Sequence, residues 1–176
     1  GGIQLSPWGD KRVNQLRRQH TIAGPAMCAG VGVHSGAHVR LALTPAPIDT
    51  GIVFVRADLR GVDNVVRGHA DSVSDTRNCT TLRNAAGIEI GTVEHLMSAC
   101  SGLGVDNLIV EVDGPELPIL DGSSAPFVQV LGNAGLKAQS AAQRFIRILE
   151  PVEVRMGAKR AALLPALDFD GLHLDV

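Results

Sequence analysis

Between residue 19 and about residue 91, apolar and polar side chains alternate and turn-forming residues interrupt them repeatedly, which commits this stretch to short β-strands. Val39, Leu41 and Leu43 alternate with His38, Arg40 and Ala42, giving the one apolar and one polar face of a half-buried strand. Gly51-Ile-Val-Phe-Val-Arg56, Thr80-Thr-Leu-Arg83 and Ile88-Glu-Ile90 continue the pattern. Gly30-Val-Gly-Val-His-Ser-Gly36, Pro45-Ala-Pro47 and Asn84-Ala-Ala-Gly87 punctuate it as turns.

The period changes at Thr92, which reads as a helix N-cap. Val93, Leu96, Met97 and Cys100 follow at i, i+3, i+4 and i+7, and Gly102 and Gly104 stop the helix. Asn107-Leu-Ile-Val-Glu-Val112 returns to strand, Gly114-Pro115 and Pro118 break it, and Ser123 or Ser124 opens a second helix from about Pro126 to Gly135. This order predicts an α+β fold, a mostly antiparallel sheet with helices packed on one face. Residues 1–18, with Lys11, Arg12, Arg17 and Arg18 around Trp8, read as an N-terminal extension, and residues 19–136 as the first domain. Residues 137–144 are small and polar and read as a linker. Beyond it, Phe145-Ile-Arg-Ile-Leu149, Val152-Glu-Val154, Arg160-Ala-Ala-Leu-Leu164 and Leu172-His-Leu-Asp-Val176 look like strands, with turns at Met156-Gly-Ala-Lys159 and Asp168-Phe-Asp-Gly171. About thirty residues of hairpin bury too little to form a core alone, so residues 145–176 are expected to be the opening strands of an incomplete second domain.

Sixteen basic against eighteen acidic residues give a formal charge of −2, which leaves no excess of cations to hold a nucleic-acid backbone. Cys28, Cys79 and Cys100 form no C-x-x-C pair, so a disulfide framework or zinc knuckle is not readable and a reducing compartment is expected. The apolar stretch Ile22–Val33 is interrupted by Gly24, Pro25, Gly30 and Gly32, so no stable membrane anchor is expected.

Chemistry is most readable at the helix after Thr92, whose first turn carries Glu94 and His95. At about 100° per residue from Val93, Glu94 lies at the flank of the apolar face and His95 near the opposite side, beside the small residues Ser98, Ala99 and Gly102. Another body can approach closely there. A neutral imidazole suits zinc and a neighbouring carboxylate suits a general base, but the dipeptide alone reads more readily as a solvated first turn. It is not H-E-x-x-H, so further ligands have to come from elsewhere. His34 and His38 straddle Ser35-Gly36 and read as turn histidines, and Gly30-Val-Gly32 is not a dinucleotide fingerprint because Ser35 stands where the third Gly belongs. Asp121-Gly-Ser-Ser-Ala-Pro126 reads as a polar helix cap, with a phosphate or sugar contact as the alternative.

Six segments in register, Gly30-Val-Gly-Val-His-Ser-Gly36, Pro45-Ala-Pro-Ile-Asp-Thr-Gly51, Asp75-Thr-Arg-Asn-Cys-Thr80, Thr92-Val-Glu-His-Leu96, Gly102-Leu-Gly-Val-Asp-Asn107 and Pro115-Glu-Leu-Pro-Ile-Leu-Asp-Gly-Ser-Ser-Ala-Pro-Phe127, strongly resemble the UDP-3-O-acyl-N-acetylglucosamine deacetylases. The resemblance implies two similar α+β domains with helices between the sheets and an active site at their interface. It implies Zn2+ as cofactor, His95 as a zinc ligand and Glu94 as general base. The other zinc ligands, a His and an Asp, would come from a His-Lys-x-x-x-Asp segment of the second domain that does not occur in this chain, and that domain is expected to pack on the His95 face. His34 matches a position near the cleft, and Asn78 and Cys79 match the loop beside the acyl-chain passage, so these three are expected to contact substrate. The implied function is cytoplasmic hydrolysis of the N-acetyl amide of a UDP-linked acylated amino sugar, releasing acetate, in lipid A biosynthesis. A non-catalytic domain serving as a structural or nucleotide-sugar-binding module is the competing reading.

Overall fold

The computed structural model describes residues 17–144, 146, 148–165, 173 and 175. The chain forms two compact units, the first ending at Gln143 and the second beginning at Arg144.

In the first unit the strands are β1 (Arg18–Ile22), β2 (Ala26–Val31), β3 (His38–Pro45), β4 (Ile52–Arg56), β5 (Val65–Arg67), β6 (Val73–Asp75), β7 (Thr81–Arg83), β8 (Glu89–Ile90), β9 (Leu108–Val112) and β10 (Leu136–Ala142). Helix α1 (Glu94–Leu103) lies between β8 and β9, and α2 (Ala125–Ala134) between β9 and β10. The main sheet has the order β2-β3-β9-β4-β5, flanked by a β6-β7-β8 sheet and a β1-β10 pair. All pairings in it are antiparallel except β4 with β9, so the α+β expectation holds.

The period-two pattern decides which face is buried. Val39, Leu41 and Leu43 of β3 are buried while His38 and Arg40 are exposed, and Ile52 and Phe54 of β4 and Leu108, Val110 and Val112 of β9 continue the apolar face. Leu96 and Cys100 of α1 and Phe127 and Leu131 of α2 belong to the same core, so both helices cover that face. Gly104 stops α1 in the left-handed conformation (φ 72°), where glycine carries no Cβ penalty.

Two helical expectations need correction. Ala99, placed on the outer side of α1 with Ser98 and Gly102, is buried, while Met97, placed in the apolar stripe, is half-buried and packs against the core. The reason is that α2 packs against α1, so the buried arc of α1 is turned from the one a sheet alone would give. Thr92 is not a side-chain cap either: Val93 occupies the cap position and no side chain caps the helix.

The stretch read as a linker, residues 137–144, is largely strand. Residues Leu136–Ala142 form β10, which pairs with β1 through Ile22 and Leu136 at one end and Arg18 and Ala142 at the other. Its inward side chain is polar, which hid it from an apolar-period test. Gln139 donates to the carbonyl of Ala46 and accepts from the amide of Asn107, so the strand is held by a buried polar network instead of by apolar packing. Asn107 centres that network. Its Nδ2 donates to Gln19 Oε1 and Gln139 Oε1, both at 2.8 Å, its Oδ1 accepts the Gly51 N–H at 2.9 Å, and its carbonyl accepts the Thr21 hydroxyl at 2.6 Å. Arg18 begins β1 inside the segment assigned to the extension, and residues 1–16 lie outside the described residues.

In the second unit, β11 (Val152–Met156) and β12 (Lys159–Leu163) form an antiparallel hairpin in which Met156 faces Lys159, and every residue of both strands is exposed. Gly157 (φ 61°) supplies the left-handed turn conformation. This matches the strands expected at Val152–Val154 and Arg160–Leu164. Of the strand expected at 145–149, Ile146, Ile148 and Leu149 are not in a strand, and Phe145 and Arg147 lie outside the described residues. The turn expected at 168–171 also lies outside them, and of 172–176 only His173 and Asp175 are described, neither in a strand.

Asn107→Ala is expected to cost about 2 kcal/mol or more, because it removes three side-chain hydrogen bonds of a buried residue at once. A lower urea midpoint with an unchanged m value checks this; an unaltered midpoint refutes it.

Candidate active site

The entry to α1 is an irregular backbone held by hydrogen bonds. Thr92 is 3% exposed and has φ 58°, a left-handed conformation that β-branched residues rarely adopt. Next to it, the Gly91 N–H donates to Pro115 O at 2.9 Å and the Leu117 N–H donates to Gly91 O at 3.0 Å, so residues 115–117 run alongside as a strap. The Thr92 hydroxyl donates to Glu116 Oε2 at 3.2 Å, which is why it is not available as a helix cap.

This bent entry delivers Glu94 and His95 in the first turn, both half-buried. Glu94 Oε2 accepts the Thr80 N–H at 3.1 Å, which fixes the rotation of its carboxylate. Asp121, in the segment before α2, has its carboxyl held below the usual range first by the hydroxyl and N–H of Ser123, with a smaller electrostatic contribution from the His95 imidazole. Ser123 Oγ in turn accepts the Ala125 N–H, so the Asp121–Pro126 segment builds the turn that opens α2. Among the described residues, no three His, Cys, Asp or Glu side chains come together as a metal site.

Beside the entry lies an open cleft of about 700 Å³. His34, Asn78 and Cys79, the three residues expected to contact substrate, all line it, together with Arg56, Asp75 and Glu116. Glu94 and His95 do not line it. Glu94 stands at its margin, since Thr80, the donor to Glu94, sits between the lining residues Cys79 and Thr81.

Two cleft residues escaped sequence reasoning. Arg56 is 9% exposed, forks onto both oxygens of Asp58 at 2.8 and 2.6 Å and donates to Glu89 O at 2.9 Å. That fork is the leading reason the Asp58 carboxyl sits below its ordinary range. Glu116 is 4% exposed and accepts the His34 N–H at 3.1 Å, the Ser35 N–H at 2.6 Å and the Thr92 hydroxyl. Burial pushes its carboxyl up, but the hydrogen bonds from Ser35, His34 and Thr92 outweigh burial and leave it below the usual value. The one signal for it in the sequence is Gly32: a Cβ there would meet Glu116 Oε1 at 2.3 Å.

Fold and site define an α+β protein that carries a carboxylate–imidazole pair at a helix entry, next to a polar cleft. The family described as LpxC, UDP-3-O-acyl N-acetylglycosamine deacetylase, matches residues 19–176. A UDP-3-O-acyl-N-acetylglucosamine deacetylase of Phenylobacterium zucineum (strain HLK1) is 56% identical over 152 residues, which is 86% of this chain and 52% of the relative. Proteins of the same name from Shewanella frigidimarina (strain NCIMB 400) and Vibrio vulnificus (strain YJ016) are each 48% identical, over 89% and 90% of this chain and 50% of each relative. The chain belongs to the UDP-3-O-acyl-N-acetylglucosamine deacetylase family. It spans about half the length of the curated relatives it matches.

Because the Glu116 carboxyl is depressed in the folded state, its contribution to stability is complete above the ordinary glutamate value of about 4.3 and is lost as pH falls through the depressed value. The stability gap between wild type and Glu116→Gln is therefore expected to be widest near neutral pH and to shrink in acid. Urea denaturation of both proteins across that range checks it, and a gap that widens in acid would contradict the sign.

Proposed function

We propose that the full-length protein is a zinc-dependent amide hydrolase that removes the acetyl group from UDP-3-O-acyl-N-acetylglucosamine, releasing acetate and the free amine. The observation that carries this reading is the Glu94–His95 pair at the entry of α1, set beside a cleft lined by His34, Asn78 and Cys79, in a chain of this family.

The residues present fit zinc in kind. His95 is a half-buried imidazole in a helical first turn, with Glu94 as its neighbour in sequence. In number they supply part of a site, since a catalytic zinc takes about three protein ligands and no triad occurs among the described residues. The remaining ligands are assigned to the rest of the full-length protein, which would dock on the side of α1 where Ser98 and Gly102 are small and exposed. When bound, zinc would polarise the amide carbonyl and the attacking water. His95 would supply one of that ion's ligands. Glu94, with Oε2 fixed by the Thr80 N–H, takes a proton from the water as it adds to the carbonyl carbon and returns it to the amide nitrogen as the C–N bond breaks, so that acetate and the free amine leave. His34, Asn78 and Cys79 contact substrate from the cleft wall.

The reading places the protein in the cytoplasm, in lipid A biosynthesis, acting on a UDP-linked acylated amino sugar without a stable membrane anchor. No described helix is long and apolar enough to cross a membrane.

In the full-length protein, His95→Ala is expected to lose bound zinc and deacetylation together, and Glu94→Gln to keep zinc while the turnover number falls by roughly 100-fold or more. Metal analysis and acetate release measure both. Full zinc content and turnover in His95→Ala would overturn the assignment. The 176-residue chain by itself is expected to be inactive, since one imidazole cannot hold zinc in catalytic geometry; efficient acetate release by the purified chain would contradict this.

A further inference from the structure

We propose that Glu116 is a positioning residue for the deacetylase reaction, its carboxylate fixing His34 at the cleft wall relative to Glu94 and His95 at the head of α1. The inference rests on the functional reading above and adds the group that keeps the two sides of the site in register.

Glu116 is anchored on the α1 side by backbone as well as side chain. Pro115 and Leu117 are bonded to Gly91, three residues before Glu94, and Thr92 donates its hydroxyl to Glu116 Oε2. On the other side the carboxylate accepts the N–H groups of His34 and Ser35, at the tip of the turn between β2 and β3. That turn closes on itself through the Gly32 N–H to Ala37 O and the Gly36 N–H to Gly32 O, both at 2.9 Å. The Ile119 N–H donates to Val31 O at 2.9 Å and ties only its base to the strap. Val33 through Ala37 are all exposed, so apolar packing does little to hold the tip. The two N–H bonds to Glu116 set where His34 stands. Gly32 leaves the carboxylate its place, since any larger residue would push against Oε1.

Two variants of the full-length zinc enzyme test this from opposite directions. Glu116→Gln replaces one acceptor oxygen with an amide NH2 facing N–H donors, and Gly32→Ala displaces the carboxylate while leaving Glu116 in place. Each is expected to lower kcat by roughly 10–100-fold, with KM changed about threefold or less and zinc content equal to wild type. In a His34→Ala background, adding Glu116→Gln should cost about twofold or less, because the group it positions is already gone. A kcat within about threefold of wild type in either variant overturns the proposal, as does a loss on Glu116→Gln that is equally large with and without His34. Should Glu116→Gln not fold, Gly32→Ala decides. An inactive wild-type protein would remove the functional reading itself, whereas an active wild type with unimpaired variants removes only the positioning role.

Discussion

A carboxylate taken out of water has to be met by donors, and at Glu116 those donors come from two separate pieces of chain. One is the turn carrying His34 and the other is the residue that opens α1. The bonds outweigh the upward push of burial, which shows that the carboxylate is kept as an anion and not merely tolerated. Gly32 and the bridge at Gly91 follow from the same requirement, one as the space for an oxygen and the other as the seat of the strap.

The strain at Thr92 belongs to this arrangement. A β-branched residue in the left-handed region costs on the order of 1–3 kcal/mol and persists only where surrounding bonds impose it. Here the strap supplies two backbone bonds at Gly91 and one side-chain bond at Thr92. What the bend achieves is direction. The chain leaves β8, turns sharply, and enters α1 with Glu94 aimed at the Thr80 N–H, so the first helical turn is located against the cleft loop and not by a cap. Beneath it, the apolar face of β3, β9 and β4 packed on Leu96 and Cys100 gives a platform that does not yield to these local demands.

What could be read in advance was whatever announced itself through apolar period. β3 was visible because Val39, Leu41 and Leu43 alternate with polar neighbours, and α1 because Leu96 and Cys100 recur at helical spacing. β10 was not, because its inward residue Gln139 satisfies an amide network and looks like a linker residue to any test of hydrophobicity. Thr92 was misread for a related reason: threonine before a helix usually caps it, but a buried carboxylate 24 positions away competes for the same hydroxyl. Of the site, His34, Asn78 and Cys79 were named only through the family resemblance and line one cleft, yet Glu116, in Pro115-Glu-Leu-Pro118, has no period and no nearby ligand-like partner to mark it. Long-range polar bonds leave little trace in spacing.

The charges around the cleft are largely used up by the protein itself. Arg56, the one Lys or Arg among the described lining residues, is committed to Asp58 and to the carbonyl of Glu89. Asp75 is paired with Arg77, Glu89 with Arg83, and Glu116 with its N–H and hydroxyl donors. Internal pairing of this kind makes a site that is formed before any ligand arrives, since no side-chain charge waits for a partner to order it. It also sets what the cleft can recognise. Among its described lining residues it offers an anionic ligand no unpaired guanidinium or ammonium, and Ser35, Asn78 and Thr81 are its neutral polar groups.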